Sequence, residues 1–188
     1  MITYKLTLAP AAEPVSLADV KEFLRIGVAA TEQDDVIQAM MDTALIEVES
    51  QSYRRLVTQT WTITCNTWQE VKEVIKYGQL QSITSIKYLD EDEASQTVSS
   101  GDYKVAGIGD ADAGRIIFYS DGDFDYPSVF EVEPITIVFI CGYGLAAAVP
   151  ETFKTAIKML VSDMWAGTCY SDYVQGQMYQ ERVWDFFE

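Results

Sequence analysis

Three aspartates at alternate positions, Asp121, Asp123 and Asp125, have the spacing in this sequence that comes nearest to a metal-binding loop. A calcium loop of the EF-hand type needs glycine at its sixth position and glutamate at its twelfth. Here the sixth position is Tyr126 and the twelfth is Val132. We therefore expect a solvated acidic turn and no metal site, with coordination by the three aspartates as the alternative.

Other catalytic chemistry has few candidate residues. The sequence contains no histidine, which excludes Ser-His-Asp and Cys-His catalysis and histidine-ligated zinc. Its three cysteines form no CxxC pair, so Cys65, Cys141 and Cys169 are predicted to be reduced, buried thiols, with a reactive thiol as the alternative. Gly142 and Gly144 lack the further glycines and the lysine of a phosphate loop. These patterns favour a protein without enzymatic activity and without a cofactor.

Two further acidic groups lie in predicted turns. The run from Asp90 to Glu93 is predicted to be a solvated hairpin tip. Asp110 and Asp112 could supply a carboxylate pair for acid/base work together with the first cluster, but a sequence gives no distance between them.

Length and charge limit the possible classes of protein. The chain has 188 residues, of which 48% are apolar, enough for one domain with a sizeable core. Its 29 acidic and 13 basic residues give a net charge of −16, and such a surface repels phosphate and disfavours nucleic-acid binding. The longest apolar run, Ile135–Cys141, is too short to span a bilayer, and no signal peptide is visible. We expect a soluble, cytoplasmic protein.

Capping residues predict the first two helices. Ser16 with Asp19 three positions on predicts a helix that ends near Ile26. A second helix is predicted to follow Thr31, with Asp34 at its capping-box position and an apolar stripe at helical period behind it.

The middle of the chain changes to the alternation of β-strands. The predicted strands are 60–65, 73–77, 83–89, 103–106, 115–119 and 135–141. The last is apolar on both faces and is expected to be central in the sheet. Pro150 then opens a third helix that Gly167 ends.

This order predicts an α+β fold. N- and C-terminal helices form a helical core, and a mostly antiparallel β-region is inserted between them. The helical part covers about 14–56 and 150–170, the β-region about 58–145, and a tail 171–188, within a single domain 1–188. The tail ends in an aromatic cluster of Trp184, Phe186 and Phe187, which must either fold back on its own core or anchor a partner.

The ordered series of segments resembles the head–tail connector proteins of tailed phages, also called adaptor or head-completion proteins. The resemblance covers roughly residues 10–165, and two departures are the missing proline pair before Ser82 and the missing Arg-Glu pair after the third helix. The matching segments are Glu13 to Arg25, Gln59-Thr60-Trp61, Ser82 to Asp90, Asp102-Tyr103, and Phe139 to Gly144 leading into Val149-Pro150.

This resemblance implies a structural protein of the virion neck. It would form a ring, twelve-fold like the portal, dock under the portal protein ring, extend the DNA channel without binding DNA, and offer a platform for the next neck or tail protein. Docking through the C-terminal segment maps onto Arg182, Trp184, Phe186 and Phe187. No membrane is involved, and assembly takes place in the host cytoplasm. The alternatives are an acidic DNA-mimic inhibitor of a DNA-binding protein and the carboxylate-based metal module.

Overall fold

The computed structural model describes residues 2–71, 75–110, 113–119, 126–168 and 172–182, without the side chains of residues 173, 177 and 178. The elements in these ranges are β1 (Thr3–Leu8), α1 (Leu17–Phe23), α2 (Asp34–Ser52), β2 (Gln59–Cys65), α3 (Trp68–Val71), β3 (Leu80–Leu89), β4 (Ser95–Thr97), β5 (Tyr103–Ala106), β6 (Arg115–Phe118), β7 (Ile135–Cys141), a 3-10 turn (Ala146–Ala148), α4 (Glu151–Ala166) and α5 (Asp172–Gln180). The predicted α+β class is confirmed.

The chain divides into two compact units. The helical unit consists of Ala12–Val57 and Tyr143–Arg182, and the β unit of Thr58–Gly142 together with the described N-terminal residues 2–11. The segment Thr58–Gly142 is thus inserted between two stretches of helical chain, as the sequence predicts, and strand β1 joins it from before the helical chain.

In the helical unit, α2 and α4 pack against each other through one continuous apolar core. Burial on both helices recurs every three or four residues, as the helical period requires. The buried positions of α2 include Ile37, Met41, Ala44 and Val48, and those of α4 are Phe153, Ala156, Ile157, Leu160 and Val161.

Helix α1 starts where its cap predicts and ends earlier than expected. Ser16 Oγ accepts a hydrogen bond from the Asp19 amide at 3.2 Å, and both halves of the capping box are present. The predicted end near Ile26 is wrong, because Arg25 adopts a left-handed conformation with φ of 59°. The Ile26 amide donates back to the Lys21 carbonyl at 2.8 Å, which closes the helix at Phe23 with a Schellman motif.

A buried lysine holds the loop between α1 and α2. Lys21 is 2% exposed, and its ammonium donates to the carbonyls of Val28 and Ala30. It also binds the Asp34 carboxylate at 2.7 Å. A helix follows Thr31 as predicted, but the capping-box position given to Asp34 is wrong. α2 begins at Asp34 itself and has no side-chain cap, and the Asp34 carboxylate bonds Lys21 instead.

Helix α4 has the predicted ends within one residue. Pro150 occupies the N-cap, one position before the first helical residue where it was expected. Gly167 ends the helix as predicted, at φ of 67°, and the Thr168 amide donates to the Asp163 carbonyl at 3.0 Å.

The β unit contains a five-stranded sheet in the order β1-β2-β7-β3-β4, with antiparallel pairing throughout. The predicted central position of β7 is confirmed. Its side chains alternate between buried and half-buried, and the buried set is Ile135, Ile137, Phe139 and Cys141. Strands β5 and β6 form a separate antiparallel pair.

One predicted strand is wrong, and four elements were not predicted. The strand predicted at 73–77 is wrong in its described part, since residues 75–77 are not a strand and the short helix α3 lies just before. Strands β1 and β4 and helix α5 were not predicted. Both strands are mostly exposed edge strands. β4 has no apolar residue to reveal it, whereas β1 does alternate, with Tyr4, Leu6 and Leu8 at every second position, and this signal was missed.

Candidate functional site

The described residues contain no acidic cluster arranged for metal binding. Asp121, Asp123 and Asp125 lie outside the described residues, so their predicted turn stays a prediction. In the part of the chain that is described, no group of three histidine, cysteine or acidic residues could hold a metal ion. None of the described helices has the length and apolar character that a bilayer-spanning helix requires.

The acidic run at Asp90 is a hairpin tip between β3 and β4, as predicted. The Asp90 carboxylate accepts hydrogen bonds from the Gln96 side chain at 2.9 Å and from the amides of Ala94 and Asp92. These bonds, that of Gln96 first, lower the pKa of Asp90. The carboxylate therefore organises the turn. Of the other acidic pair, Asp110 is described and Asp112 is not.

The described cysteines are buried apolar groups. Cys65 and Cys141 are fully buried in the sheet. Burial, with a smaller contribution from the Glu70 carboxylate, raises the pKa of Cys65 to about 12. A thiol with that pKa carries almost no thiolate at neutral pH, which argues against nucleophilic chemistry at this position. Cys169 lies outside the described residues.

Of the four predicted docking residues, Arg182 is described, and Trp184, Phe186 and Phe187 lie outside the described residues. Arg182 is half-buried. Its guanidinium lies over the Tyr53 ring, 4.7 Å from the ring centroid. A cation held over an aromatic face at this distance is attracted by the ring's electron density.

Next to this pair, Arg54 forms a hydrogen bond with Glu181. Arg54 is 6% exposed, and its Nε donates to the Glu181 carbonyl at 2.7 Å. Its Nη1 donates to the Tyr143 hydroxyl at 3.0 Å. Two adjacent residues at the end of α2 thus bind two adjacent residues that follow α5. We call these five residues, Tyr53, Arg54, Tyr143, Glu181 and Arg182, the C-terminal anchor.

Local structure places the anchor at the end of α2. Tyr53 is the C-cap of the helix and adopts a left-handed conformation with φ of 53°, which turns the chain so that Arg54 leaves the helix axis. The Tyr143 amide donates to the Leu56 carbonyl at 3.0 Å, and the Tyr143 ring packs 5.8 Å from that of Phe153. Charge-assisted hydrogen bonds to a buried arginine are among the stronger polar contacts, so the anchor fixes the point from which residues 183–188 continue.

Sequence reasoning did not find Tyr53, Arg54 or Tyr143. Arg54 and Glu181 are 127 residues apart, and no local pattern connects them. The one available signal is the Arg54-Arg55 pair, which begins two residues after a helix that has no basic residue of its own.

The fold is shared with chains of gene transfer agent (GTA) particles. A chain in the structure of the virion of a native GTA particle matches with a TM-score of 0.80 and 15% identity over 98% of this chain and 97% of that one. A chain in the neck of an empty GTA particle, computed with C6 symmetry, matches with a TM-score of 0.81 and 14% identity over 98% and 97%. A chain in the neck of a native GTA particle, computed with C12 symmetry, matches with a TM-score of 0.70 and 14% identity over 97% and 98%.

This is a likeness of fold over nearly the whole length of both chains. No protein-family profile matches the sequence, and no curated protein sequence matches it.

Proposed function

We propose that this chain is a structural protein of the neck of a tailed phage or a phage-like particle. It forms a ring under the portal, extends the DNA channel and offers a platform for the next neck or tail protein. The observation that carries the proposal is the likeness of fold, over 97–98% of both chains, to chains in the necks of GTA particles. The ring is non-enzymatic, and its work is done by interfaces.

The net charge supports a channel protein. With −16 on 188 residues, the chain gives DNA phosphates few cations to bind. Binding to DNA is driven largely by release of counterions when lysine and arginine neutralise phosphates. A strongly acidic ring therefore lets DNA pass without holding it.

The C-terminal segment supplies the contact with the portal. Arg54 and Tyr53 hold Glu181 and Arg182, so the segment leaves the helical unit from a fixed point. Trp184, Phe186 and Phe187 follow within five residues of that point, and aromatic side chains are the commonest anchors of protein interfaces. In this account Arg182 sets the start of the segment, and the aromatic residues provide the buried contact area.

A pull-down on the portal ring encoded beside this gene tests the proposal. The full-length chain is compared with a chain ending at Val183 and with Arg54→Ala, which keeps the aromatic residues and removes their anchor. Arg25→Ala is the matched control, because Arg25 is an exposed arginine of the same unit. We expect capture of the full-length chain and of Arg25→Ala, no capture of the shortened chain, and weaker capture of Arg54→Ala.

Each other outcome has a defined meaning. Equal capture of the full-length and shortened chains would contradict docking through the tail and move the contact to the helices. No capture of the full-length chain would contradict the connector function. Inhibition of a nuclease that salt reverses would then favour the DNA-mimic alternative.

A further inference from the structure

Strand β1 forms one edge of the five-stranded sheet. All of its pairing partners lie on β2, and no other described strand lies beside it in the order β1-β2-β7-β3-β4. Five of its six residues are exposed, and Leu6 and Leu8 are 42% and 65% exposed. An open edge that carries exposed leucines is a template for pairing with a further strand.

The two sides of β1 differ in chemistry. Tyr4 and Leu6 lie on the side of the sheet that carries its apolar core, where Leu6 pairs with Trp61. Lys5 lies on the other side, because successive side chains of a strand alternate. A strand that matches this edge therefore has apolar side chains at alternate positions and an acidic side chain between them.

Aromatic rings already occupy the apolar side of this edge. The Tyr4 ring lies 5.5 Å from that of Tyr77, and the Tyr77 ring lies 5.2 Å from that of Trp61. Aromatic pairs between neighbouring strands stabilise a sheet. Further aromatic side chains beside Tyr4 and Leu6 would extend this cluster.

The middle of the edge is positively charged. Lys5 is the one charged residue of β1, and it forms no ion pair with any residue that the structure describes. At the start of the strand, the Thr3 hydroxyl donates to the Glu133 carboxylate at 3.2 Å, so an acidic residue is already bound at that end. An acidic partner is therefore expected at Lys5, in the middle of the strand.

The last six residues of the chain have the matching pattern. Residues 183–188 directly follow Arg182 and lie outside the described residues. Their sequence is Val-Trp-Asp-Phe-Phe-Glu, with two acidic residues and no lysine or arginine. In a strand, Trp184 and Phe186 would share one side and Asp185 would lie on the other. The segment thus has the length of β1 and the opposite charge.

Opposite charges select one register for this pairing. If Asp185 lies opposite Lys5, its two aromatic neighbours lie opposite the two neighbours of Lys5, which are Tyr4 and Leu6. This holds for a parallel and for an antiparallel pair, because both segments are centred on the charged residue. An exposed ion pair of this kind adds little stability, so the aromatic contacts provide most of the energy and the charges set the register.

We propose that residues 183–188 pair with the outer edge of β1 of the same chain, as a sixth strand of the sheet. A segment of the same chain has an effective concentration that a second copy reaches only in about the millimolar range. The strand at the other edge of the sheet, β4, has three residues and no apolar side chain, so it offers the segment no match.

This inference concerns the protein without its portal and goes beyond the proposed function. It adds that the aromatic segment is held on the sheet before assembly, and that the portal displaces it from β1. The pairing would protect the free protein twice. It covers an open sheet edge, and it removes exposed aromatic side chains from solvent.

Hydrogen exchange of the free, full-length protein, followed by mass spectrometry, tests the pairing. Amides in 183–188 should exchange at least about tenfold more slowly than in an unstructured chain. In a chain ending at Val183, residues 3–8 should exchange faster than in the full-length protein, because β1 loses its outer partner. Exchange in 135–141, the central strand, shows whether each variant is folded and should stay unchanged.

Two matched pairs of variants test the register. Phe186→Ala should abolish the protection of the segment, whereas Phe187→Ala should keep most of it, because that side chain lies on the side away from Tyr4 and Leu6. Leu6→Glu should also release the segment. Ile117→Glu is its control, since Ile117 is 52% exposed and belongs to β6 of the other sheet, and it should leave the protection intact.

Four results would overturn the inference. They are a segment without protection in the full-length protein, equal losses in Phe186→Ala and Phe187→Ala, protection that Leu6→Glu leaves intact, and protection that falls on dilution. The last result would assign the pairing to a second copy.

The portal pull-down reports separately on the proposed function. Leu6→Glu keeps the whole segment, so the portal should capture it at least as well as the wild type. Protection of 183–188 without capture of the full-length chain would contradict portal docking alone. Capture of the full-length chain without protection would contradict the pairing with β1 alone.

Discussion

The helical unit and the β unit hold their chains in place by different means. Among the described residues, the two buried cations, Lys21 and Arg54, both lie in the helical unit. Lys21 bonds the backbone carbonyls of a neighbouring loop, and Arg54 bonds the carbonyl of Glu181, 127 residues away. The β unit instead buries alternating apolar side chains and aromatic contacts, such as Trp68 5.4 Å from Tyr88. Its one buried polar residue in the described range is Gln59.

The two means of stabilisation fix different features of the chain. Apolar alternation sets the register of a sheet but tolerates small shifts of its loops. A buried cation with a fixed set of carbonyl partners defines the path of a loop or a chain end, because any departure leaves a charge unpaired. The helical unit uses Lys21 to fix one loop and Arg54 to fix the start of the C-terminal segment.

The largest effect is expected in the sheet. Phe139 is fully buried in the central strand β7, and Phe139→Ala should lower the free energy of unfolding by about 4 kcal/mol through lost burial and a cavity. Urea unfolding followed by tryptophan fluorescence measures the change. A loss of less than about 1 kcal/mol would show that the sheet core is not packed as described.

Removal of the buried charge of Lys21 in the helical unit should lower the free energy of unfolding by less than Phe139→Ala does. Lys21→Met keeps the length of the side chain but leaves the carbonyls of Val28 and Ala30 and the Asp34 carboxylate without their partner. We expect a loss of about 3 kcal/mol, with hydrogen exchange accelerated at residues 25–34. Lys5→Met, at an exposed position of β1, is the control and should be neutral. Equal stability of the two variants would refute the role given to Lys21.

The N-terminal cap of α1 should make a pH-dependent contribution to the free energy of unfolding. Hydrogen bonds from Ser16 lower the pKa of Asp19 below its ordinary value of 3.8, so the folded state favours the carboxylate. This stabilisation is present above pH 4 and is lost as the pH falls through the lowered pKa. Asp19→Asn should therefore cost about 0.5–1 kcal/mol at pH 7, and the difference from the wild type should shrink towards pH 2. A difference that stays constant with pH would contradict the assignment.

The smallest expected effect is a substitution that stabilises the protein. Arg25 adopts φ of 59° at the end of α1, a conformation that costs an ordinary residue more than it costs glycine. Arg25→Gly should stabilise the protein by about 0.5 kcal/mol, since relief of strain exceeds the added entropy of the unfolded chain. Differential scanning calorimetry would show a rise in Tm of about 1–2 °C, and a fall would contradict it.

Much of the fold could be predicted because its signals are local. The alternation in 60–65 predicted β2, the Ser16 and Asp19 pair predicted the start of α1, and the doubly apolar run 135–141 predicted a central strand. Prediction failed where a distant partner decides the outcome. Asp34 has the spacing of a capping residue, but it bonds Lys21, thirteen residues earlier in the chain.

The candidate site was predicted in part for the same reason. The resemblance to connector proteins pointed to Arg182, and the structure gives that residue a partner in Tyr53. The anchor formed by Arg54 depends on a contact across 127 residues, which no local pattern reveals.

Cryo-electron microscopy of this chain in complex with the portal ring encoded beside its gene would show whether the chain is a ring protein of the neck. We expect a closed ring of copies on the portal, with the segment after Arg182 seated on portal subunits. Portal rings that remain bare, or that bind isolated copies without a ring, would contradict the assignment of this chain to the neck.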